Sequence, residues 1–408
     1  MFERENMNSI YSIMRVCKDI ADDVIDKALT KHRKNTEIKK FKDQRRVAIT
    51  QTTKLSDKEK KQIDDYFKMN YGAKIPYTWH RHYTAFTGEF DVKYFPELLY
   101  IPEFEHYMNQ WKSYCITFAD KNVLPLIAKE IGIKTPSVLF TSTKELLKDA
   151  SGNIVSKDFM LQELKNAGTL FVKTTVDSNS GSGCALVSFE NGIDRESGRS
   201  MESIINRLGG DFAVQKQIIC HKTVSDLHPQ SVNTFRVMSY RWKDEIIVAP
   251  ATMRIGTGGS NLDNVHTGGL CIAIDDDGTL HKCAYTEFNE KFVRHPDSKI
   301  LFEGYKIESF NKVLHAAKIL HENIPQVGLV HWDFTIDNIG EPVVIEANTL
   351  GTSIQLIQRP LGKGAFGERT EEILQWMSFM RKLNVNQRKK YAFGKMPVEE
   401  NKKTRSKR

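Results

Sequence analysis

The sequence predicts an α+β chain of several lobes with a helical N-terminal extension. Three observations predict it: apolar residues recur at helical spacing near the start, short β-rich runs alternate with helices after Asp120, and 408 residues exceed one minimal domain. Apolar residues make up 40% and charged residues 27%, which is ordinary globular usage. No run approaches the ~20 apolar residues that cross a bilayer, so no transmembrane segment is expected. The opening MFERENMNSIYSIMRVCKDI lacks the basic-then-apolar layout of a secretory signal, which predicts a cytoplasmic location.

From about residue 8 to 31, Ile10, Ile13, Met14, Cys17, Ile20, Val24 and Ala28 fall at helical spacing, which predicts an amphipathic helix. The charged stretch from Lys31 to Arg46 reads as an exposed helix or linker. Ser56-Asp57-Lys58-Glu59 has the capping-box form, in which hydroxyl and carboxylate satisfy free N–H groups of a first turn. A second helix therefore starts there and stops at Gly72. Tyr77 to Trp111 is dense in aromatics, most of them core, with His80, Arg81 and His82 as candidates to face a substrate.

After Asp120, β-rich runs are read at Ser137–Phe140, Leu170–Thr175, Ala185–Phe189, Phe212–Gln217, Thr234–Arg241, Ile246–Thr252, Leu270–Ile274, Val327–Phe334 and Pro342–Ala347. Helices are expected at Glu308–His321 and Thr370–Leu383. The pattern is not the βαβ array of a Rossmann fold, and no internal repeat is visible.

Cys17, Cys115, Cys184, Cys220, Cys271 and Cys283 form no CxxC pair, and no histidines stand at zinc spacing. They read as buried reduced thiols, without a disulfide framework or zinc site. The net charge of +8 suits an anionic partner, but nine basic and two acidic residues lie from Arg388 to Arg408, so much of the excess is local. That tail, lacking an apolar period, is expected to be solvated and disordered, with peripheral contact to an acidic membrane or polymer as the other reading. No nucleic-acid partner is expected.

Lys173 ends the strand from Leu170 and enters a turn containing Ser180, Gly181, Ser182 and Gly183 before the chain returns at Cys184. Such a turn can set one ammonium and several backbone N–H groups against a polyphosphate, though a plain hairpin loop has the same form. The Walker spacing GxxxxGK[ST] is absent. Gln215, Lys216, Gln217 and Ile218 lie at the end of the next strand, a place that suits an adenine edge or simple exposure. Glu346 and Asn348 are two apart in Val343–Asn348 and share a strand face. With Asp333, after Val327–Trp332, they supply hard oxygen ligands of the kind Mg²⁺ takes beside nucleotide phosphates. Both acids follow apolar runs that must be buried, which favours a metal site over a solvent-facing edge.

Lys173 with its glycine turn, the Gln215–Ile219 hinge, and Asp333 with Glu346-Ala347-Asn348 resemble the ATP-grasp superfamily in kind and order. Asp120-Lys121-Asn122 with Gly132-Ile133-Lys134-Thr135-Pro136 resembles its entry motif. Ser231–Val237, Arg254-Ile255-Gly256, Asp263-Asn264, Gly268-Gly269 and Ile274-Asp275 are similar to its sugar-transfer associated branch, including the teichuronic-acid type. The resemblance implies an ATP-grasp fold, with a central lid domain and a C-terminal mixed sheet clasping ATP. It implies an N-terminal region over 1–115, the first part of the ATP-grasp body over 116–165, a lid over 166–217, a catalytic domain over 218–385 and a basic tail over 386–408.

The resemblance further implies ATP and two Mg²⁺ ions, with Mn²⁺ as a substitute, held through Asp333, Glu346 and Asn348. Lys121 and Lys173 would cradle phosphates, Arg236 and Arg254 would face the γ-phosphate, and Asn233, or else Asp226, would meet the ribose. Gln215 stands where many members have an acid, and an amide oxygen accepts the same adenine hydrogen bond. The implied reaction phosphorylates a carboxylate, which an amine then attacks to give an amide, ADP and phosphate. The substrates would be small molecules, sugar-linked and destined for cell-surface polysaccharide. A small-molecule kinase, and a non-catalytic nucleotide- or polyanion-binding protein, are the alternatives. Arg254 stands at the base of the Gly256–Gly269 loop, and His266 in that loop reads as a base or as an exposed histidine. Arg359 reads equally as a ligand for an acceptor carboxylate and as a helix-end arginine paired with an acid.

Overall fold

The computed structural model describes residues 2–175 and 183–397. The first helix, Phe2–Lys40, continues through much of the charged stretch. It meets the body by its polar side. Asp26 pairs with His106 at 2.5 Å and with Arg388, Asp23 accepts from the Val385 N–H at 2.8 Å, and Lys34 pairs with buried Glu103. Met14, Ile20 and Val24 remain exposed instead.

The capping box forms as read. Ser56 Oγ accepts from the Glu59 N–H at 3.3 Å, and Glu59 accepts from the Ser56 N–H at 2.7 Å, opening the helix Asp57–Asn70. Ile63 and Phe67, one turn apart, pack inward. His80 and His82 do not face a substrate: both lie fully buried among Phe41, Phe67, Phe86 and Tyr94. Cys17 is exposed, contrary to the expectation that all six thiols are buried, and all six are free.

Strands β1 (Val138–Thr143), β2 (Leu146–Asp149), β3 (Gly168–Thr174), β4 (Cys184–Glu190), β5 (Ile193–Asp194) and β6 (Phe212–Lys216) form one antiparallel sheet, in the order β2-β1-β6-β3-β4-β5. The boundary expected at 166 falls inside it, because β1 pairs with distant β6 (Phe140 opposite Val214), a register that no local period reports. Met160 and Leu164 of one helix and Ile204 and Ile205 of another cover Leu170, Val172 and Val214.

Strands β7 (Thr234–Trp242), β8 (Glu245–Val248), β9 (Ala251–Ile255), β10 (Leu270–Ile274), β11 (Leu280–Tyr285), β12 (Lys291–Phe292), β13 (Leu329–Ile336) and β14 (Pro342–Asn348) form the second sheet. Its order is β12-β11-β10-β9-β7-β13-β14, with β8 also on β7. Pairings between these strands are antiparallel, more uniform than the mixed sheet expected, with a parallel bridge at Lys134–Val343. The run expected at Ile246–Thr252 is two strands, β8 and β9, broken at Ala249-Pro250.

Alternation along the second sheet separates its two faces. Phe235, Val237, Trp332 and Phe334 pack towards the helix Phe310–Glu322, while Met238 and Tyr240 pack against Tyr100, Phe104 and Phe366. The aromatic extension therefore covers part of the face that also carries Arg236 and Asp333. Asn109 fastens the two together: its Oδ1 accepts from the Gly328 and Leu329 N–H groups at 2.9 and 3.0 Å, and its Nδ2 donates to the Leu329 and Thr349 carbonyls at 2.9 and 2.6 Å. Asn109→Ala strands these buried groups and should cost about 2–4 kcal/mol, read as a lower urea midpoint at unchanged m-value.

At the C-terminus the disorder expected from 386 is not found in the described part. Val385–Lys390 is helical, and Arg388 is buried against Asp26 with its Nε donating to the Met380 carbonyl at 3.0 Å. Residues 398–408 of the tail lie outside the described residues. Among the described residues, no helix is long and apolar enough to cross a membrane.

Candidate active site

The site sits where the ends of the two sheets meet, around a cavity of about 320 Å³. Cross-strand pairing assembles its polar floor. Asp333 lies opposite both Arg236 and Glu346, Asn348 opposite His331, and Arg254 opposite Thr234, so four strands contribute side chains to one face.

Arg236 Nε lies 2.7 Å from Asp333 Oδ1, but neither atom makes an aligned hydrogen bond there. Arg236 Nη2 donates to Asp333 Oδ2 at 3.2 Å and Arg254 Nη2 donates to the same oxygen at 3.1 Å. Arg254 also donates to Thr234 Oγ1 at 2.6 Å and approaches Asp263 at 3.5 Å. Burial lowers the Arg236 pKa against the pull of Asp333. Burial opposes charge on Arg254 too, but Asp263 and Asp333 outweigh it and raise its pKa. Both guanidiniums are thus held in a dry site.

From the first sheet, Lys173 at the end of β3 is buried, and Lys121 lies 3.6 Å from Glu346. Burial, reinforced by Lys121 and opposed by Glu346, pulls the Lys173 pKa down to about 8. Arriving phosphates would restore its charge, so nucleotide binding above pH 8 should take up a proton, and affinity should fall by up to about tenfold per pH unit there. Calorimetry in buffers of different ionisation enthalpy reads this directly; a dissociation constant flat from pH 7 to 9.5 would remove Lys173 from phosphate contact. In the free protein the sign reverses: the penalty for burying charged Lys173 is full below about pH 8 and is relieved as pH rises towards the unfolded value of 10.5.

Gln215 is buried and lines the cavity with Lys216, Gln217, Ile218 and Ile219. Apolar Phe171, Leu186 and Ile345 line it as well, none of them singled out from the sequence. Gly183 is described, in the left-handed region at φ +74°, whereas Ser180, Gly181 and Ser182 lie outside the described residues.

Asn233 does not fit the expected ribose role. It is fully buried, and its amide is consumed by the Val224 and His228 carbonyls at 2.9 and 3.0 Å, the Ser231 hydroxyl at 2.8 Å and the Gly256 N–H at 3.1 Å. Asp226, the other choice, pairs with Lys222 and is not part of the cavity wall, whereas Ser225 and Gln230 are.

The Gly256–Gly269 loop is tied down. His295 Nδ1 accepts from the Asp297 and Ser298 N–H groups at 3.2 and 3.3 Å, which leaves Nε2–H to donate to the Gly256 carbonyl at 2.8 Å. His228 Nε2 meets the Ser260 carbonyl at 3.0 Å, and Asp297 accepts from the Gly258 N–H at 2.7 Å. His228, His295 and Asp297 are close enough together to suggest a metal centre, but their backbone bonds make them a loop fastener. Sequence spacing hides this group, since two histidines 67 positions apart meet only in the fold. The fastened loop brings Asn261, Leu262 and Asp263 to the cavity wall.

The donor set of Asp333, Glu346 and Asn348 is two carboxylates and an amide, all hard oxygen ligands, and the Asp333 Oδ1 left without an aligned hydrogen bond fits a Mg²⁺ ligand. The sugar-transfer associated ATP-grasp family matches residues 102–374, two thirds of the chain. The chain belongs to this family. Its fold is the ATP-grasp fold, preceded by a helical N-terminal extension.

Among solved structures, this ATP-grasp chain is similar to the VanG D-Ala:D-Ser ligase of Enterococcus faecalis at 13% identity, covering 64% of this chain and 61% of that one with a TM-score of 0.38. The D-alanine–D-alanine ligase of Bacillus anthracis gives 14% identity, 67% and 69% coverage and a TM-score of 0.37. The N5-carboxyaminoimidazole synthetase of Staphylococcus aureus, complexed with ADP, gives 13% identity, 58% and 46% coverage and a TM-score of 0.35. The chain spans under half the length of such synthetases. No curated protein sequence matches it.

Proposed function

We propose that the chain is an ATP-dependent carboxylate–amine ligase working through an acyl phosphate, with a sugar acid and an amine-bearing compound of cell-surface polysaccharide synthesis as its substrates. The observation that carries the reading is the convergence of Lys173, Gln215, Arg254, Asp333 and Glu346, drawn from both sheets, on one cavity, with Arg236 held against Asp333 and Lys121 3.6 Å from Glu346. The sugar part rests on the family description alone.

In this reading Gln215 accepts from the adenine amino group, the apolar wall takes the ring faces, and Ser225 and Gln230 are candidate ribose partners. Lys121 and Lys173 hold the polyphosphate. Mg²⁺, bound through Asp333, Glu346 and Asn348, would neutralise phosphate charge. A carboxylate oxygen attacks the γ-phosphorus and ADP leaves. The amine then attacks the acyl carbon, phosphate leaves, and the amine loses its proton. Arg236 and Arg254 face the charge that builds first on the phosphoryl group and then on the tetrahedral oxyanion, in a site where water does not screen them. No side chain needs to act as nucleophile.

The test is a screen of acid and amine pairs for ADP and free phosphate. Release that requires both partners supports the ligase. Phosphate retained on a hydroxyl-bearing product would instead make the chain a kinase.

A further inference from the structure

Beside the phosphate-facing arginines, a second basic cluster is built from parts of the chain far apart in sequence. Arg46, from the helix Gln44–Thr52 of the N-terminal extension, donates to Glu287 at 3.0 Å and to Gln355 at 3.3 Å. His266, from the fastened loop, contacts the other oxygen of Glu287 at 2.8 Å. Arg359, from the helix Gln355–Leu361, is 6% exposed; it donates to Gln355 and, at 3.4 Å, to the Glu287 backbone carbonyl, and its Nε has no partner.

Among the described residues no carboxylate lies within ion-pair distance of Arg359, and Glu287, whose field reaches it, is already paired with Arg46 and His266. A helix-end arginine paired with an acid, the plain reading, is therefore not what the structure holds. The acid Glu97 is also buried, and burial pushes its pKa up to about 7, so it supplies only part of a counter-charge. Both ring nitrogens of His82, which lies in the field of Arg46 and Arg359, are buried without partners. Leaving a buried cation short of an anion is costly, which points to a ligand that completes the set.

The cluster lies at a useful distance from the chemistry. Arg254 is opposite Cys271 and Cys271 is opposite Tyr285, two residues before Glu287. Two strand spacings put Tyr285 roughly 10 Å from Arg254, and Glu287 follows two residues further on, a separation that a small bifunctional molecule can bridge. Cys271 Sγ donates to the Leu356 carbonyl at 3.3 Å, which holds the Arg359 helix against these strands.

We propose that Arg46 and Arg359 form an oxyanion subsite that grips a carboxylate or phosphate ester on the second, amine-bearing substrate, and that the N-terminal extension thereby takes part in choosing that substrate. The proposal rests on the ligase reading for the word substrate, but the subsite itself is testable without turnover. The planar fork of arginine suits both oxyanions, and Glu287 now occupies part of the place such a group would take.

The experiment titrates glycine, glucuronate, inorganic phosphate and, as an uncharged control, ethylene glycol into the ADP·Mg²⁺-loaded protein, following thermal shift and calorimetry. At least one anion should bind the wild type while ethylene glycol does not; the carboxylate and phosphate arms tell which oxyanion fits. Arg359→Gln and Arg46→Gln should each weaken that binding about tenfold or more, and Arg359→Lys, which keeps charge but loses the fork, should fall between. The ATP·Mg²⁺ shift should be unchanged in all three. If Arg359→Gln fails to fold, half-buried Arg46 carries the test. Wild-type anion affinity in Arg46→Gln, or no anion binding by the wild type at tens of millimolar, overturns the subsite. Absence of an ATP·Mg²⁺ shift in the wild type would be a failure of the nucleotide reading instead, and the two outcomes are distinct.

Discussion

Glu346→Gln is expected to lower turnover by roughly three orders of magnitude while leaving the protein folded. Glu346 stands opposite Asp333 on β14, shares its strand face with Asn348, and lies 3.6 Å from Lys121. The amide has nearly the same shape but replaces an anionic oxygen with a nitrogen that cannot ligate Mg²⁺. The side chain is one-third exposed and its ion pair is long, so little stability depends on its charge. Steady-state ADP release and a thermal melt, run on one preparation, check both halves. A normal melt with normal turnover would remove Glu346 from the metal site.

Arg254→Lys is expected to lower kcat by about 10²–10³ with only a small change in nucleotide KM. Lysine keeps the charge but cannot reach Thr234, Asp263 and Asp333 together as the fork does. The developing charge then meets a mobile ammonium where a fixed guanidinium stood, and reorganisation enters the barrier. Loss of the Thr234 hydrogen bonds should also cost about 1–2 kcal/mol of stability. A large rise in nucleotide KM at constant kcat would instead make Arg254 a ground-state phosphate ligand.

What was legible in the sequence was local. The capping box at Ser56, the runs that became β3, β7, β10 and β14, and the two-residue spacing of Glu346 and Asn348 all follow from periods of two or four residues. Long-range pairing was not legible. The first sheet starts at β1 because Phe140 meets Val214, and Arg388 is buried because Asp26, on the first helix, supplies its counter-charge. Asn233 shows the same limit at the site: a polar residue just before a strand suited a ligand, but the fold turns its amide inward to hold the Gly256 N–H and the carbonyls near His228. The fastener of His228, His295 and Asp297 had no spacing to betray it.

Activation of a carboxylate by phosphoryl transfer is the central claim, and oxygen transfer tests it most directly. With a carboxylate substrate labelled in both oxygens with ¹⁸O, plus ATP, Mg²⁺ and the amine, an acyl phosphate must pass one labelled oxygen to the released phosphate. One ¹⁸O per phosphate is expected, with no label in ADP and loss of the signal in Glu346→Gln. Unlabelled phosphate released along with amide product, or a phosphoryl group retained on a substrate hydroxyl, would contradict it.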